Sequence, residues 1–181
     1  SLSEMEVALI DFSGEALSSK TLNVEGCTTD EIAGLAAQTI KSMRSSFSID
    51  DNSFVGVGCS APGNFGPQGS EIKAHNLFTD FDKPEKVQEF GQAFEAPFFL
   101  ENDGSAAALG EYVFGRKDGD GNSLFLIHIG YGLGGGAVID GKLFRGASGN
   151  ACLPGVLFPY DEHRPTAQDL LGFLSEKGVS I

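Results

Sequence analysis

The sequence predicts an α/β protein built from two lobes. Short apolar segments typical of buried strands alternate with segments whose apolar residues recur at helical spacing. The charged, glycine-containing segment RKDGDGN at 116–122 interrupts this alternation and predicts a hinge. Three apolar stretches then follow one another with only short turns, which predicts an antiparallel meander. We therefore expect an N-terminal α/β lobe over residues 1–118 and the start of a second lobe over residues 119–181.

The charge balance limits the partners of these residues. The 181 residues include 25 acidic and 12 basic side chains, which gives a formal net charge of −13. Because DNA affinity depends on Lys and Arg side chains that neutralise phosphates, this chain by itself is not expected to bind nucleic acid. No apolar run approaches the roughly 20 residues that span a bilayer, and the N-terminus lacks a signal-peptide pattern. We expect a cytoplasmic protein that does not bind membranes.

The cysteines and histidines show no metal-binding pattern. Cys27, Cys59 and Cys152 are odd in number and far apart, so they are expected to be reduced thiols rather than zinc ligands or disulfides. His128 lies in an apolar segment and is expected to be a core residue. No histidine has another ligand type at a recognisable spacing, so we predict no metal held by protein side chains alone.

The first lobe is predicted to begin with a hairpin and a helix. Glu6–Asp11 reads as a strand, and LSSKTLNV after the turn reads as its return strand. Thr28 and Glu31 form a capping-box pattern at the start of a helix that ends at Ser46. The apolar face of this helix is predicted to comprise Ile32, Leu35, Ala36, Thr39, Ile40 and Met43.

A second strand and helix follow. The segment SFVGVGCSAPG predicts a buried strand that opens into a long polar loop, from Ala61 to about Asp80. In this segment Gly63 and Asn64 could bind the hydroxyls of a small polar ligand, although a plain turn explains them as well. Asp82 is expected to cap a helix that starts near Pro84. The buried residues of that helix are predicted to be Val87, Phe90 and Phe94.

The segment FFLENDGSAAALGE predicts a strand that delivers polar side chains to its carboxyl end. In α/β sheets that edge is where ligands bind. Asp103 is therefore either a ligand-binding carboxylate or only the N-cap of the next helix, and the spacing leaves both alternatives open. The residues of this helix predicted to point inward are Ala106, Leu109 and Tyr112 or Val113.

The segment IGYGLGGGAVIDG carries five glycines within seven residues. Glycine backbone N–H groups can converge on an anion because no Cβ obstructs them. The segment is neither a Walker A motif nor a Rossmann fingerprint, since a strand follows it and no Gly-Lys-Ser/Thr does. A glycine loop between two antiparallel strands is typical of actin-like ATPases and hexokinases. The alternative is a glycine-rich hairpin required by close packing.

The chain ends with an irregular stretch and one more predicted helix. Thr166 is expected to cap that helix, and Gly178 is expected to end it. Its apolar residues are Leu170, Leu171, Phe173 and Leu174.

The order of these motifs resembles the ROK family (repressors, uncharacterised frames and sugar kinases). The motifs are GVGCSAPG, HNLFTDF, ENDGSAAALGEYVFG and IHIGYGLGGGAVIDGKLFRGASGNA, with the densest match over Glu101–Ala151. The resemblance implies an actin-like ATPase or hexokinase (ribonuclease H-like) fold, with sugar and ATP in the cleft between two lobes. It also implies truncation at both ends: a first strand with an Asp-x-Gly-Gly-Thr loop is expected before Ser1, and more of the second lobe after Ile181.

The resemblance also implies roles for individual residues. Asp103 matches the catalytic base of the kinases, and Asn102 matches a ligand of a sugar hydroxyl. The sugar-loop region corresponds to Gly63, Asn64 and Asn76. The second phosphate loop corresponds to Gly130, Gly132, Gly134 and Gly135, and Tyr131 stands where kinases usually have Thr. ATP with Mg²⁺ is implied only if the protein is a kinase.

Departures from the kinase pattern favour a regulator. The kinases continue from GNA into Gly-Glu-x-Gly-His, and here Leu153 and Val156 replace the Glu and the His that bind sugar. The cysteine-rich zinc motif is absent, so no zinc is expected. An Arg-Pro-Thr helix start at 164–166 stands in its place, as in a subset of ROK transcriptional regulators.

These departures predict the sugar-sensing effector domain of a ROK regulator. It is expected to be a homodimer that reaches DNA only through a helix-turn-helix absent from this chain. The alternatives are an ATP-dependent hexose or N-acetylhexosamine kinase with Asp103 as general base, and an interaction domain that binds no ligand.

Overall fold

The computed structural model describes residues 3–65, 72–73, 79–115, 121–130, 132–158 and 164–179. The chain forms two compact units, which divide between Glu101 and Asn102. None of the described helices is both long and apolar enough to cross a membrane.

The first unit contains two helices and several short strands. In chain order they are β1 (Glu4–Ile10), β2 (Ala16–Asn23), α1 (Thr29–Ser46), β3 (Val57–Ala61), β4 (Asn64–Phe65), β5 (Ile72–Lys73), α2 (Pro84–Gln92) and β6 (Phe98–Asn102). Strands β1 and β2 form the predicted antiparallel hairpin, and β4 pairs with β5 in the same sense. Strand β3 pairs with β6, whose last residue begins the second unit.

The capping box predicted for α1 is confirmed. The Thr28 hydroxyl accepts a hydrogen bond from the Glu31 backbone N–H, and the Glu31 carboxylate accepts one from the Thr28 backbone N–H at 2.7 Å. The buried face of the helix differs slightly from the prediction: Ala33 is buried, whereas Leu35 is 37% exposed. The packing partners of α1 therefore set its rotation, which the apolar spacing alone does not determine.

The start of α2 corrects one sequence prediction. Lys83, not Asp82, is the N-cap residue, and no side chain caps the helix. Asp82 belongs instead to a 3₁₀ turn at Thr79–Asp82. Pro84 supplies the first helical position, where the missing N–H is not needed, so the helix can begin without a capping carboxylate.

Two apolar clusters hold the first unit together. Phe81 and Ile72 are almost fully buried in one of them, and Val7, Leu9 and Met43 belong to the other. An apolar slot of about 770 Å³ runs between β1 and β3. Among the described residues, no strand joins the β1–β2 pair to the β3–β6 pair. The further strand that the family resemblance implies stays a prediction.

The second unit is a meander with helices packed beside it. Its elements are α3 (Asp103–Gly110), a π-helical turn (Glu111–Gly115), β7 (Ser123–Ile129), β8 (Leu133–Ile139), β9 (Lys142–Leu143), a 3₁₀ turn (Pro154–Leu157) and α4 (Ala167–Glu176). The predicted antiparallel order β7–β8–β9 is confirmed. Thr166 caps α4 as predicted, since its hydroxyl accepts a hydrogen bond from the Asp169 backbone N–H.

The face of helix α3 that packs on β8 differs from the predicted one. The buried residues are Gly104, Ser105 and Ala108, whereas Leu109 is 37% and Val113 is 56% exposed. The smallest side chains point inward because the backbone of α3 lies directly against glycines of β8. This packing places α3 in the second compact unit. The lobe boundary expected after residue 118 stays a prediction, because 116–120 lie outside the described residues.

Candidate functional site

The structure separates the roles of Asn102 and Asp103. Asn102 is the N-cap of α3: its Oδ1 accepts a hydrogen bond from the Ser105 backbone N–H at 2.9 Å, and the residue is only 5% exposed. Asp103 is exposed, and its Oδ1 accepts hydrogen bonds from the Gly104 N–H at 2.8 Å and from Asn102 Nδ2 at 3.1 Å. Asp103 is therefore not the helix cap. Its carboxylate is held at the helix start by its neighbours.

The packing of α3 on β8 brings Asp103 next to the glycine segment. A Cβ placed on Gly134 would lie 4.0 Å from Asp103 Oδ1 and 3.9 Å from the Gly104 Cα. A Cβ on Gly136 would lie 2.8 Å from the Ser105 Cα, so a side chain there would push α3 away. These strand glycines are needed for close backbone approach, and that approach positions the carboxylate.

Only part of the glycine segment is a loop. Strand pairing continues to Ile129 and Leu133, so Gly130 and Gly132 lie outside the ladder, in the connection between β7 and β8. The Gly130 N–H donates to the Gly132 carbonyl at 3.0 Å. Gly134 and Gly135 lie in β8 and are paired in its ladder with β7. The close-packing alternative thus accounts for the glycines of the strand, and a phosphate-binding role at the connection stays a prediction.

The other predicted sugar-binding residues lie in the first unit or outside the described residues. Gly63 has a φ of +133°, a backbone conformation that favours glycine. Asn64 follows it as an exposed residue of β4, opposite Lys73. Asn76 and Tyr131 lie outside the described residues, so their predicted roles stay predictions.

The segment CLPG packs against the start of β8. A Cβ on Gly135 would lie 2.9 Å from Pro154 Cδ and 3.2 Å from the Cys152 carbonyl oxygen. Leu153, at a position where the ROK kinase pattern has Glu, is only 8% exposed. The structure thus places an apolar, buried side chain where the family resemblance implies a sugar-binding carboxylate.

Cys152 carries a backbone strain that glycine would relieve. Its φ is +62°, a conformation that costs an L-residue roughly 1–2 kcal/mol. Glycine avoids this cost, but it loses more backbone entropy on folding, which cancels part of the gain. We expect Cys152→Gly to raise the free energy of unfolding by about 0.5–1 kcal/mol, measured by urea denaturation. Cys27→Gly is the matched control. It is expected to destabilise, because Cys27 packs against the first core cluster without a positive φ. A loss of stability in Cys152→Gly would contradict the expectation.

Three side chains form a network at the start of α4. Arg164 Nε donates to Asp169 Oδ2 at 3.2 Å, and the Thr166 hydroxyl donates to the same carboxylate. Arg164 and Thr166 are buried, at 8% and 3% exposure. The Ala167 N–H donates to the Gly130 carbonyl at 2.8 Å, which ties the helix to the glycine connection. An open apolar pocket of about 620 Å³ lies beside this contact and is lined by Ile129, Gly130, Leu170 and Phe173 among others.

The pKa of Asp169 makes this network sensitive to acid. The hydrogen bond from Thr166 lowers the pKa of the carboxyl below its usual value, and the charge of Arg164 lowers it further. A carboxyl with a lowered folded-state pKa stabilises above the unfolded-state pKa of about 3.9, and its contribution is lost as the pH falls below that value.

Asp169→Asn is expected to lower the thermal midpoint at pH 7, and its difference from wild type is expected to shrink between about pH 5 and 2, with most of the change below about 3.9. Thermal unfolding of both proteins across this range measures the effect. Glu176→Gln removes a carboxylate at the far end of α4 and serves as the control. A difference that does not depend on pH would contradict the role of the carboxylate.

The core position expected for His128 from the sequence is wrong. Its imidazole is exposed rather than buried in the core. Because His128 pairs with Gly134, its side chain lies on the α3 face of the meander, the face beside Asp103. Alternation along β7 predicts which side chains share a face with His128. Only the register with β8 shows that Gly134 lies opposite it.

The described residues offer no ready metal site. No group of three or more His, Cys, Asp or Glu side chains among them could hold a metal ion. Burial raises the pKa of the Cys59 thiol to about 11, so the metal-binding thiolate form is disfavoured at neutral pH. Mg²⁺ with a nucleotide is a different case, since phosphates supply many of its ligands.

Comparisons with known proteins place the chain in a family. The ROK family profile matches residues 3–158. The chain belongs to the ROK family. This ROK chain is 47% identical over 181 residues to the uncharacterised protein y4fQ of Sinorhizobium fredii. The match covers 100% of this chain and 46% of that protein. It is 30% identical to a xylose repressor of Caldicellulosiruptor bescii, over 81% of the chain and 37% of the repressor. It is 34% identical to a glucokinase of Streptomyces coelicolor, over 82% of the chain and 44% of the enzyme.

Solved structures show the fold of the ROK chain. A ROK hexokinase from Thermus thermophilus matches with a TM-score of 0.76 at 20% identity, over 100% of this chain and 63% of that one. A ROK family transcriptional regulator, a homologue of the Escherichia coli MLC protein, matches with a TM-score of 0.68 at 20% identity, over 97% of this chain and 47% of that one. The α/β hexokinase and actin-like fold predicted from the sequence is confirmed. The chain spans about half the length of the curated relatives it matches.

Proposed function

We propose that this ROK chain is the effector domain of a transcriptional regulator and binds a small carbohydrate. The observation that carries the proposal is the buried, apolar Leu153 where the kinase pattern has a sugar-binding Glu. Leucine cannot accept a hydrogen bond, and a hydroxyl left without its partner costs about 1–3 kcal/mol. Val156 replaces the His of the same pattern. Both changes weaken the sugar contacts that a kinase would use.

The start of α4 supports the same proposal. In the zinc-containing members that the family resemblance implies, a cysteine-rich motif stands at this point. Here Arg164 and Asp169, with Thr166, form a network at the helix start, and the Ala167 N–H donates to the Gly130 carbonyl of the hairpin. The sequence similarity to a xylose repressor extends over most of the chain, which is consistent with a regulator but does not separate it from the kinases.

In this proposal Asp103 binds the sugar and other residues position it. Its carboxylate is exposed and accepts hydrogen bonds at one oxygen from Gly104 and Asn102, which leaves the group oriented for a sugar hydroxyl to donate to it. Asn102 is proposed as a second ligand of a sugar hydroxyl, and its amide also donates to Asp103. We propose Gly63 and Asn64, with Asn76, as further sugar-binding positions. DNA contact would come from a helix-turn-helix segment outside residues 1–181.

The test uses the full-length protein and a DNA fragment carrying its own promoter. Affinity is measured by fluorescence anisotropy with and without D-xylose, D-glucose and N-acetylglucosamine at millimolar concentration. A regulator is expected to bind the fragment, with one sugar changing the affinity by about 5-fold or more, the usual size of an allosteric coupling. Absence of DNA binding, or an affinity that no sugar changes, would count against the proposal.

An ATP-dependent sugar kinase is the second candidate. The position of Asp103 beside Gly134 favours it, because a carboxylate next to a glycine hairpin suits a base that takes a proton from a sugar hydroxyl during phosphoryl transfer. ATP, bound with magnesium, would supply the phosphoryl group, and Gly130 and Gly132 at the hairpin would lie beside its phosphates. A coupled ADP-release assay across hexoses and N-acetylhexosamines tests this candidate, and absence of turnover with all of them would exclude it.

A further inference from the structure

Direct backbone contact joins the start of α3, where Asp103 lies, to strand β8. A Cβ on Gly104, the next residue, would meet the Gly135 backbone nitrogen and lie 2.7 Å from its carbonyl oxygen. A Cβ on Gly136 would lie 3.0 Å from the Gly104 carbonyl oxygen. Because glycine has no side chain, no flexible group separates the two backbones. Close-packed contacts of this kind transmit strain, so a shift of Asp103 also shifts β8.

The β7–β8 hairpin is joined in turn to α4. Ala167 is the first residue of α4, and its N–H donates to the Gly130 carbonyl at 2.8 Å. The first N–H groups of a helix have no acceptor inside the helix, and this one finds its acceptor on the hairpin. Arg164 and Thr166, just before the helix, are 8% and 3% exposed. The start of α4 is therefore anchored beside the end of β7.

The rest of α4 is held less firmly than its start. Within the second unit none of its residues is buried, and Leu170, Leu171 and Phe173 are 56%, 48% and 40% exposed. The open pocket of about 620 Å³ has Ile129 on its strand side and Leu170 and Phe173 on its helix side. Elements with few buried apolar contacts open at low cost, and the elements that move in allostery are of this kind. The body of α4 can therefore move while its first turn stays attached.

We propose that the Ala167–Gly130 hydrogen bond couples the Asp103 ligand site to α4, so that ligand binding at Asp103 changes the position of this helix. The inference rests on the proposed function, because it takes the ligand to be the sugar that Asp103 binds. It adds the element that transmits the binding. In the regulator, α4 passes the sugar signal from the ligand site toward the segment that binds DNA.

Ala167→Pro breaks the contact and leaves α4 able to form. Proline lacks the N–H, and its ring would take the place of the hydrogen that Gly130 accepts, so the contact has to open. Proline is favoured at the first position of a helix. Thr166 already has the extended backbone that a residue before proline requires, with φ −125° and ψ 162° replaced here by its own ψ of 156°. Ala167→Ser keeps the N–H at the same exposed position and is the matched control.

The first measurement uses the full-length protein, its promoter fragment and D-xylose, D-glucose and N-acetylglucosamine. In wild type and Ala167→Ser, one sugar is expected to change the DNA affinity by about 5-fold or more. In Ala167→Pro this response is expected to disappear, while calorimetric titration still shows the sugar bound. A response equal to that of wild type would overturn the inference and leave the regulator intact. Loss of sugar binding would also overturn it, because the contact would then build the site instead of transmitting its state.

Hydrogen exchange of α4 tests the coupling without any ligand. Gly104→Ala forces α3 away from β8, so the backbone amides of α4 are expected to exchange about 5-fold faster or more, relative to those of α1. Gly110→Ala, whose methyl meets nothing within 4 Å, is expected to leave α4 unchanged. In the Ala167→Pro background, Gly104→Ala is expected to add no further change in α4, the non-additivity of coupled sites.

The two measurements separate the inference from the function on which it rests. Equal exchange of α4 in Gly104→Ala and Gly110→Ala would overturn the coupling, whichever sugar binds. Failure of all three sugars to bind wild type would count against the proposed sugar sensor, and the exchange measurement would still decide whether α3 and α4 are coupled.

Discussion

Gly104→Ala is expected to lower the thermal midpoint of the full-length protein by several degrees, because the added methyl has no space. Its Cβ would meet the Gly135 backbone nitrogen and lie 2.7 Å from the Gly135 carbonyl oxygen. Both atoms belong to β8, so relief requires α3 to move away from the meander. Overpacking of this kind costs about 1–3 kcal/mol and occasionally more. For a domain of 150–250 residues, the size of this chain, each kcal/mol shifts the midpoint of the domain's own unfolding transition by about 2–4 °C.

Gly110→Ala is the matched control in the same helix. A Cβ there would have nothing within 4 Å, and alanine is favoured over glycine in a helix by up to about 1 kcal/mol. Thermal unfolding followed by circular dichroism is expected to give a small gain for Gly110→Ala against a clear loss for Gly104→Ala. Equal midpoints for the two variants would mean that α3 does not approach β8 this closely.

Local sequence patterns were sufficient to predict the order of the helices and strands. The hairpin at the start, the capping box at Thr28, the cap at Thr166 and the meander after residue 121 all follow from patterns within a few residues of each other. These patterns reflect hydrogen bonds and periodicity inside one element. They can therefore be interpreted without knowing what packs against that element.

The site was less predictable because its geometry comes from packing between elements. Asn102 and Asp103 are both residue types that cap helices well. Asn102 is the N-cap because β6 ends at Asn102 and α3 begins at Asp103. The inward face of α3 consists of its smallest residues, which apolar spacing does not select. Likewise, the β7–β8 register, and not the sequence around His128, brings that imidazole to the face of Asp103.

The substitution with the largest expected effect on function is Asp103→Asn. Asparagine has the shape of aspartate and retains an oxygen that can accept from Gly104 and Asn102, so the fold is expected to be preserved. It removes the charge that strengthens a hydrogen bond from a sugar hydroxyl. Hydrogen bonds to charged groups contribute about 1.5–3 kcal/mol, so the full-length regulator is expected to bind its sugar roughly 10- to 100-fold more weakly.

The same variant separates the two candidate functions. A kinase is expected to lose roughly 10²–10⁴-fold in ADP release, the usual contribution of a general base, with a smaller change in sugar affinity. A regulator is expected to show no ADP release before or after the change, and a loss confined to sugar binding and to the sugar response on DNA. Glu111→Gln makes the same charge change at the far end of α3 and is expected to alter neither. Because Asp103 is the exposed carboxylate that the packing of α3 on β8 brings to the hairpin, wild-type sugar affinity in Asp103→Asn would contradict the sugar site of the regulator, and wild-type ADP release would contradict the kinase.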